Sequence, residues 1–468
     1  MLNGITGLLF PLITYPYLAR VLGPERLGAV NFMEYAVGLI WSLASIGIPA
    51  YGMYRIAQLQ ALGLSKRTIF WQLIRLHTLF SVVSYGLFYW LVKDKSQWNY
   101  VQVLLPIGLF HLIGNCLQAE WYLQGMQRFD ISAYRTMILR IAGVAAILFM
   151  IGSPGDYRIY YWIILTTVAL SVLYNIYWIR RDLRTEAPTR NHPTIEWKLL
   201  LLFYSGSVFI SCTVFLDATL LGIFTNEEQL GYYSNAAKLT RISLVIILAL
   251  NTVVYPQFSE QRAKGNQERL TELLSRSADW LLYLSLPICF LYWLYADVLV
   301  NLIAGEAFAS SIPMVRWMAG IPLCISLSNL LIYYGLSAGN KTTKKWIVIG
   351  VAAGLLLSVG LNTWLIDRFG AVGTAINSMA IECGFAGFFI LLLKPQLHLK
   401  RITTTFLSCL VFIPLHEALN VTSLTDLSKL LIGGICSGII YLATQHFIWK
   451  HPILPELDQL YLPNRSTK

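Results

Sequence analysis

Charge is what this sequence has little of. Only 13% of its 468 residues are Asp, Glu, Lys or Arg, about half the share in an ordinary soluble domain. Hydrophobic residues make up 56% of the chain, and the mean hydropathy is +0.59. Apolar runs recur along the whole sequence, and each is long enough to cross a bilayer as a helix. The composition therefore excludes an ordinary globular enzyme and predicts a polytopic, all-α membrane protein.

The sequence also lacks the motifs of metal, redox and nucleophilic chemistry. Its seven cysteines stand singly in apolar segments, with no CxxC pair and no His/Cys cluster at metal-ligand spacing. No nucleophile and base stand together. We therefore predict no metal, no cofactor, no catalytic residue and no enzymatic activity. The N-terminal segment has no basic n-region and no small-residue cleavage site, so we expect a first transmembrane helix there.

Fourteen apolar segments are predicted to span the membrane, and short loops rich in Gly, Pro, Asn and charge separate them. Loops after even-numbered spans hold twenty Lys and Arg residues, whereas loops after odd-numbered spans hold eight. By the positive-inside rule, the even loops and both termini are cytoplasmic. The net charge of +11 then reflects loops that face anionic headgroups, and no nucleic-acid partner is predicted. The spans cover roughly residues 2–22, 29–52, 69–92, 100–124, 132–152, 158–180, 198–224, 231–256, 278–304, 312–338, 346–366, 371–393, 402–420 and 429–449.

An internal repeat relates the two halves of the chain. "LGPERLG" opens the second span and "FTNEEQLG" opens the eighth, which places Gly28 and Gly231 at the same position of each motif. "GVAA" likewise recurs in the fifth and eleventh spans. Six spans per repeat is an even number, so the halves enter the membrane from the same side, as parallel repeats around a central cleft. We predict a six-helix bundle over 1–184, a second over 197–396, an extra helix pair over 400–450 and a cytoplasmic tail over 451–468.

Several stretches resemble one family of transporters. "WYLQGMQRFDISAYRTMILR", at 121–140, is similar to the segment after the fourth span of polysaccharide (O-antigen) flippases. "PYLARVLGPERLG", at 16–28, resembles the first loop of these flippases, and "LDATLLGIFTNEEQLGYYSNAAKL", at 216–239, resembles their seventh and eighth spans. The superfamily also contains the multidrug MATE transporters and the lipid II flippases. The likeness extends over most of the first twelve spans.

The resemblance implies an activity and a location. Such a flippase moves an undecaprenyl-diphosphate-linked oligosaccharide from the cytoplasmic to the outer leaflet of a bacterial inner membrane, for O-antigen, capsule or exopolysaccharide assembly. It also implies membrane lipids, a polysaccharide polymerase and chain-length machinery as partners. Two energy sources stay open. The membrane potential favours outward movement of a doubly charged headgroup by about 4–5 kcal/mol per 100 mV, and proton or sodium antiport is the alternative.

Charged residues within apolar spans are the candidate functional residues, because a charge near the bilayer centre is costly. Arginine suits a diphosphate, since its planar fork donates two parallel hydrogen bonds. Asp217 and Lys238 are predicted at similar depth on adjacent helices, so an ion pair is one interpretation. Lys238 can also extend its side chain to the interface. The substrate-binding candidates are Arg140, Lys238, Arg241, Glu120 and Arg135, and the ion-coupling candidates are Glu34, Asp217 and Glu382.

Structural interpretations of the same charges stay open. Glu120 and Arg140 flank a predicted cytoplasmic turn, where a structural pair competes with a binding role. Glu34 can lie near a helix end, in contact with water.

Four other functions compete with the O-antigen flippase. A MATE-type multidrug or cation antiporter commonly carries an acidic residue in its first span, and residues 1–22 contain no Asp or Glu. A lipid II-type flippase shares the expected architecture. An envelope polymerase or ligase would need a large outer loop with catalytic residues, whereas the odd-numbered loops here are short. A scaffold without transport would not explain charges in both halves.

Overall fold

The computed structural model describes residues 2–95, 98–184, 194–395, 398–422 and 425–448, and this part of the chain is helical without strands. Short 3-10 turns cover Pro154–Asp156 and Glu306–Ser311, and a π turn covers Thr444–Ile448. The α-helices are α1 (Leu2–Ala44), α2 (Ile48–Ala61), α3 (Arg67–Val92), α4 (Val101–Leu117), α5 (Glu120–Gly125), α6 (Phe129–Met150), α7 (Tyr157–Arg184), α8 (Trp197–Phe224), α9 (Glu227–Ile242), α10 (Leu244–Ala263), α11 (Gln267–Leu294), α12 (Ala296–Ile303), α13 (Ile312–Met318), α14 (Ile321–Ala338), α15 (Lys341–Leu393), α16 (Leu399–Leu410), α17 (Phe412–Asn420) and α18 (Asp426–Ala443).

The all-α, polytopic fold class is confirmed, although the number of fourteen spans is not. Within the described ranges, eight helices are long and apolar enough to cross a membrane, or nine if the bent pair α13–α14 counts as one span. Two long helices each run through two predicted spans. α1 bends at Gly23, where φ is 73°, and α15 bends at Gly370, where φ is 56°. Glycine takes this left-handed conformation without a Cβ penalty, so the chain changes direction without a loop.

Large apolar side chains cover the outside of the helices. Phe149 is 90% exposed, Leu391 77% and Leu356 76%. Exposed apolar area of this extent marks an interaction surface in a water-soluble protein. On helices long enough to span a bilayer, it is the surface that faces lipid.

The chain forms two compact units. The first runs to Ser234 and also includes Val359–Thr374, and the second comprises Asn235–Ser358 and the chain from Ala375 onward. A buried cluster in the first unit joins α2, α3, α5, α6 and α7, and one in the second joins α10, α11, α14 and α15. The added helices α16–α18 pack on α11 and α12. The predicted bundle limits stay predictions, and the predicted tail, 451–468, lies outside the described residues.

Repeat-related residues touch each other inside the first unit. A Cβ on Gly28 would lie 1.9 Å from the carbonyl oxygen of Glu227, and a Cβ on Gly231 would lie 2.0 Å from that of Pro24. Pro24 and Glu227 are themselves 203 residues apart, as Gly28 and Gly231 are. One helical turn further on, Asn31 Nδ2 donates to Ser234 Oγ at 2.7 Å, again across 203 residues. α1 and α9 therefore cross symmetrically, and this supports the internal repeat.

Candidate functional site

The stretch from Gln118 to Asp130 folds as a short helix between two sharp turns. α4 ends at Leu117, and Ala119 and Gln127 take positive φ values of 44° and 58° on either side of α5. Gly125 and Gly52 allow the close packing of α5 on α2, because a Cβ on Gly125 would lie 2.7 Å from the carbonyl oxygen of Met53. This geometry places Glu120 at the first turn of α5, beside the inward face of α6.

Glu120 and Arg135, two of the substrate-binding candidates, lie together in a buried polar network. The Arg135 side chain is 5% exposed, and its Nη2 lies 3.2 Å from Glu120 Oε2. Its Nη1 donates to Asn175 Oδ1 at 2.6 Å, and Asn175 Nδ2 donates to the carbonyl oxygen of Gln118 at 2.6 Å. The ion-pair partner of Glu120 is thus Arg135, not Arg140. The network ties α4, α5, α6 and α7 together, which favours a structural role for both charges.

A second group of charges lies near the end of α7. Arg128 Nη1 pairs with Asp182 Oδ1 at 3.0 Å, and its guanidinium lies 4.9 Å from the centre of the Trp178 ring. Arg181 lies over the same ring at 5.4 Å. Cation–π contacts of this kind hold arginine side chains in place at modest energy. Sequence reasoning missed Asp182, which lies in a run that resembles an ordinary basic loop.

Asp217, an ion-coupling candidate, is a buried carboxylate of the first unit. Its residue exposure is 7%, and Asn362 Nδ2 lies 3.3 Å from its Oδ1 and 3.4 Å from its carbonyl oxygen. Asn362 is fully buried, and its own Oδ1 finds no hydrogen-bond partner in the described ranges. A buried acceptor without a donor costs about 1–3 kcal/mol, and Asn362 Oδ1 is such an acceptor. Lys238 belongs to the second unit, and its pairing with Asp217 stays a prediction.

Arg241 stands on the last turn of α9. The helix is interrupted at Ser243, and the chain continues as α10. Its side chain is half-buried, and its Nε is enclosed without a hydrogen-bond partner. It takes part in none of the ion pairs found in the part of the chain that the structure describes. If the predicted span 231–256 crosses the membrane, Arg241 would lie about 15 Å along it, near the middle of the hydrocarbon layer.

The other candidates, Arg140, Lys238, Glu34 and Glu382, are all half-buried. Glu34 lies within electrostatic range of the tyrosines at 160 and 161. Among the predicted site residues, Glu120 and Arg135 form an ion pair with each other.

Glu227 is a further buried carboxylate, and sequence reasoning missed it because it stands in a polar loop. Its Oε1 accepts hydrogen bonds from the backbone N–H groups of Tyr100 and Val101 at 2.7 and 2.6 Å. The carboxylate therefore caps α4, where unpaired N–H groups and the helix dipole favour negative charge. Burial nevertheless raises the pKa of Glu227, against the lowering effect of these hydrogen bonds.

Comparison with known proteins gives a consistent picture. The family model for "Polysaccharide biosynthesis protein" matches residues 1–261. A protein named as an O-antigen transporter from Escherichia coli K12 is 24% identical over an alignment of 394 residues, with 80% of this chain and 90% of that protein covered. A protein named as a low-salt glycan biosynthesis flippase, Agl15 of Haloferax volcanii, is 23% identical over 79% of this chain and 76% of its own.

Solved structures share the fold at low sequence identity. The inward closed conformation of the lipid II flippase MurJ aligns with a TM-score of 0.69 and 13% identity, over 96% of this chain and 98% of that chain. An inward-facing multidrug MATE transporter of the MOP superfamily aligns with a TM-score of 0.53 and 14% identity, over 89% and 96%. These likenesses show that the fold is that of the MOP superfamily.

Proposed function

This chain belongs to the polysaccharide biosynthesis protein family, and from that premise we propose that it moves undecaprenyl-diphosphate-linked oligosaccharide from the cytoplasmic to the outer leaflet. Its relatives are transporters and flippases named for O-antigen and glycan biosynthesis. A multi-pass protein with their function must carry both a diphosphate and a glycan past hydrocarbon. In our proposal it does so by alternating access, with the substrate in a wet cleft.

The uncompensated charge of Arg241 is the observation that favours an anionic substrate. A cation near the middle of a bilayer costs about 2.5–3.5 kcal/mol by insertion scales and more by simulation, and buried charges are normally paired. Arg241 is half-buried, and no described carboxylate compensates it. A diphosphate would supply that compensation during each transport cycle, with two phosphate oxygens on one guanidinium fork.

Arg241 differs in this respect from Arg135. The guanidinium of Arg135 is already held by Glu120 and Asn175, so it has little to gain from a substrate phosphate. Lys238 lies three residues before Arg241 on α9, hence on the same helix face. We assign Arg241 the headgroup contact and Lys238 a supporting positive charge. A multidrug cation antiporter, the main alternative, would be opposed by both charges.

We further propose Asp217 as the residue that couples transport to an ion. Its carboxylate is buried and accepts from Asn362 Nδ2, and the Oδ1 of the same Asn362 side chain is buried without a partner. Such oxygens can accept a proton or ligate a small hard cation. Ion entry there would add to the drive that the membrane potential gives an anionic substrate.

The test deletes the gene in its native host and complements the deletion with wild type and with three variants at equal expression. Wild type and Arg316→Ala, an exposed arginine of the same unit, should restore surface polysaccharide. Arg241→Ala should leave lipid-linked oligosaccharide on the inner leaflet, and Arg241→Lys should restore transport in part because it keeps charge without the fork.

A binding measurement separates headgroup recognition from assembly. Purified wild type should bind undecaprenyl diphosphate and bind the uncharged alcohol undecaprenol more weakly, and Arg241→Ala should lose the difference. Unchanged surface polysaccharide in the deletion strain, with raised sensitivity to cationic drugs, would replace the flippase proposal by the multidrug one.

A further inference from the structure

A polar cavity of 840 Å³ opens in the second unit between the first turns of α11 and the start of α16. The candidate residues of the predicted spans do not line it. Its charged lining combines three arginines and a histidine with two glutamates: Arg269, Arg276, Arg401, His398, Glu268 and Glu272. The arginines exceed the glutamates by one before the histidine is counted.

A buried carboxylate fixes one wall of the cavity. Asp279, with a side chain only 6% exposed, accepts from Arg401 Nη1 at 2.9 Å and lies 2.8 Å from His398 Nδ1, both through its Oδ2. This contact attaches the start of the added helix α16 to α11. Arg401 and His398 are therefore held at the cavity by a group that lies behind them, which orders the wall before any ligand arrives.

The opposite wall, formed by α11, carries two arginines and two glutamates. Glu272 bridges two arginines, with Oε2 2.6 Å from Arg269 Nη1 and Oε1 2.6 Å from Arg276 Nη2. One carboxylate thus serves two guanidinium groups. A guanidinium has five N–H donors, so the single ion pair of Arg269 through Nη1 leaves most of its donor capacity for an anion.

The position in the chain indicates the source of that anion. α11 follows the eighth predicted span and α16 follows the twelfth, so both helices begin at connections predicted to be cytoplasmic, at headgroup depth. Basic pockets between transmembrane helices on this side bind anionic lipid headgroups. We propose that this cavity binds the phosphate headgroup of an anionic phospholipid from the cytoplasmic leaflet. The site is separate from Arg241 and does not depend on the transported substrate.

The test measures lipid binding to the purified full-length chain in detergent by native mass spectrometry. Phosphatidylglycerol should bind wild type, and phosphatidylcholine should bind far more weakly. Near a membrane, each Lys or Arg contributes about 1 kcal/mol, or about fivefold in Kd. Arg269→Gln combined with Arg276→Gln should therefore weaken phosphatidylglycerol binding about 25-fold. Glu272→Gln should instead tighten it about fivefold, because a competing carboxylate is removed.

Control variants distinguish lipid binding at this cavity from non-specific electrostatic attraction to the protein. Lys264→Gln removes a charge on the same predicted side, from an exposed pair with Glu260 outside the cavity, and should bind phosphatidylglycerol as wild type does. Equal binding by wild type and the double arginine variant would overturn the proposal, as would equal binding of the two lipids. Complete displacement by excess inorganic phosphate would overturn it too, because the ligand would then be free phosphate. Thermal unfolding of each variant confirms that losses are not due to misfolding.

Discussion

Replacing Gly28 by alanine is expected to separate α1 from α9 at their crossing. The new Cβ would lie 1.9 Å from the carbonyl oxygen of Glu227, whereas ordinary contact begins at 3.4 Å. The helices must therefore move apart by about 1.5 Å, since a close-packed interior offers no other space. Overpacking of this kind costs about 1–3 kcal/mol.

The same movement breaks a buried hydrogen bond. Asn31 and Ser234 are both fully buried and lie 2.7 Å apart, Nδ2 to Oγ, so a separation of this size removes the hydrogen bond between them. Ser234 Oγ still donates to the carbonyl oxygen of Gly231, so the lost bond adds only about 0.5–1.5 kcal/mol. The expected total for Gly28→Ala is about 1.5–4.5 kcal/mol. Gly231→Ala should cost a similar amount, because its Cβ would meet Pro24 at 2.0 Å.

The assay is thermal unfolding of purified variants, followed by loss of the monodisperse peak in size-exclusion chromatography. Gly86→Ala and Gly360→Ala are matched controls, since neither Cβ would meet an atom within 4 Å. Both should be stabilised slightly, by about 0.5–1 kcal/mol, because alanine favours a helix. The double variant of Gly28 and Gly231 should cost less than the sum, because the helices separate only once. A Gly28→Ala protein as stable as the controls would refute the symmetric crossing.

Two further predictions concern buried polar groups. Burial raises the pKa of Glu227 above 4.5, so the folded protein keeps this proton to higher pH than the unfolded chain does. The contribution of Glu227 to stability therefore falls as pH rises from 4.5 through the raised pKa. Glu227→Gln should flatten that part of a plot of melting temperature against pH, and an unchanged slope would contradict the assignment. Asn175→Ala should lower the free energy of unfolding by about 2–4 kcal/mol, because buried Arg135 loses the acceptor of its Nη1. A loss under about 1 kcal/mol in denaturation of the purified variant would show that Glu120 alone suffices.

Apolar runs and an internal repeat predicted the helical fold, because both can be recognised in a single sequence without knowledge of tertiary contacts. The motif containing Gly28 recurs 203 residues later, and the structure uses both copies at one crossing. The number of fourteen spans is not confirmed. The predicted boundaries at 22–29 and 366–371 nevertheless coincide with the bends of α1 and α15 at Gly23 and Gly370. Nothing in the residue type of Ala119 reveals its φ of 44°, and that turn decides which cation Glu120 meets.

Polar partners were harder to predict than charges. Asp217 was recognised as a carboxylate in an apolar run, but Asn362 stands 145 residues away and carries no charge to mark it. For Glu227, the burial of the carboxylate itself was hard to predict. It lies in a loop whose composition is typical of a solvated turn, yet the fold buries it as a helix cap. Burial and pairing of such groups depend on tertiary packing, which a single sequence does not contain.

Arg135 and Arg241 show how the hydrogen-bond partners of a buried charge distinguish a structural role from a functional one. Both stand in predicted spans, and a sequence assigns them the same cost of burial. The contacts of Arg135 with Glu120 and Asn175 offset the cost of burying its charge, so that charge is compensated without a substrate. Arg241 is half-buried with an enclosed, unpartnered Nε, and none of the ion pairs among the described residues compensates its charge. Because an interaction made only with the substrate can lower the free energy of transit, Arg241 is the better candidate to bind a passing phosphate.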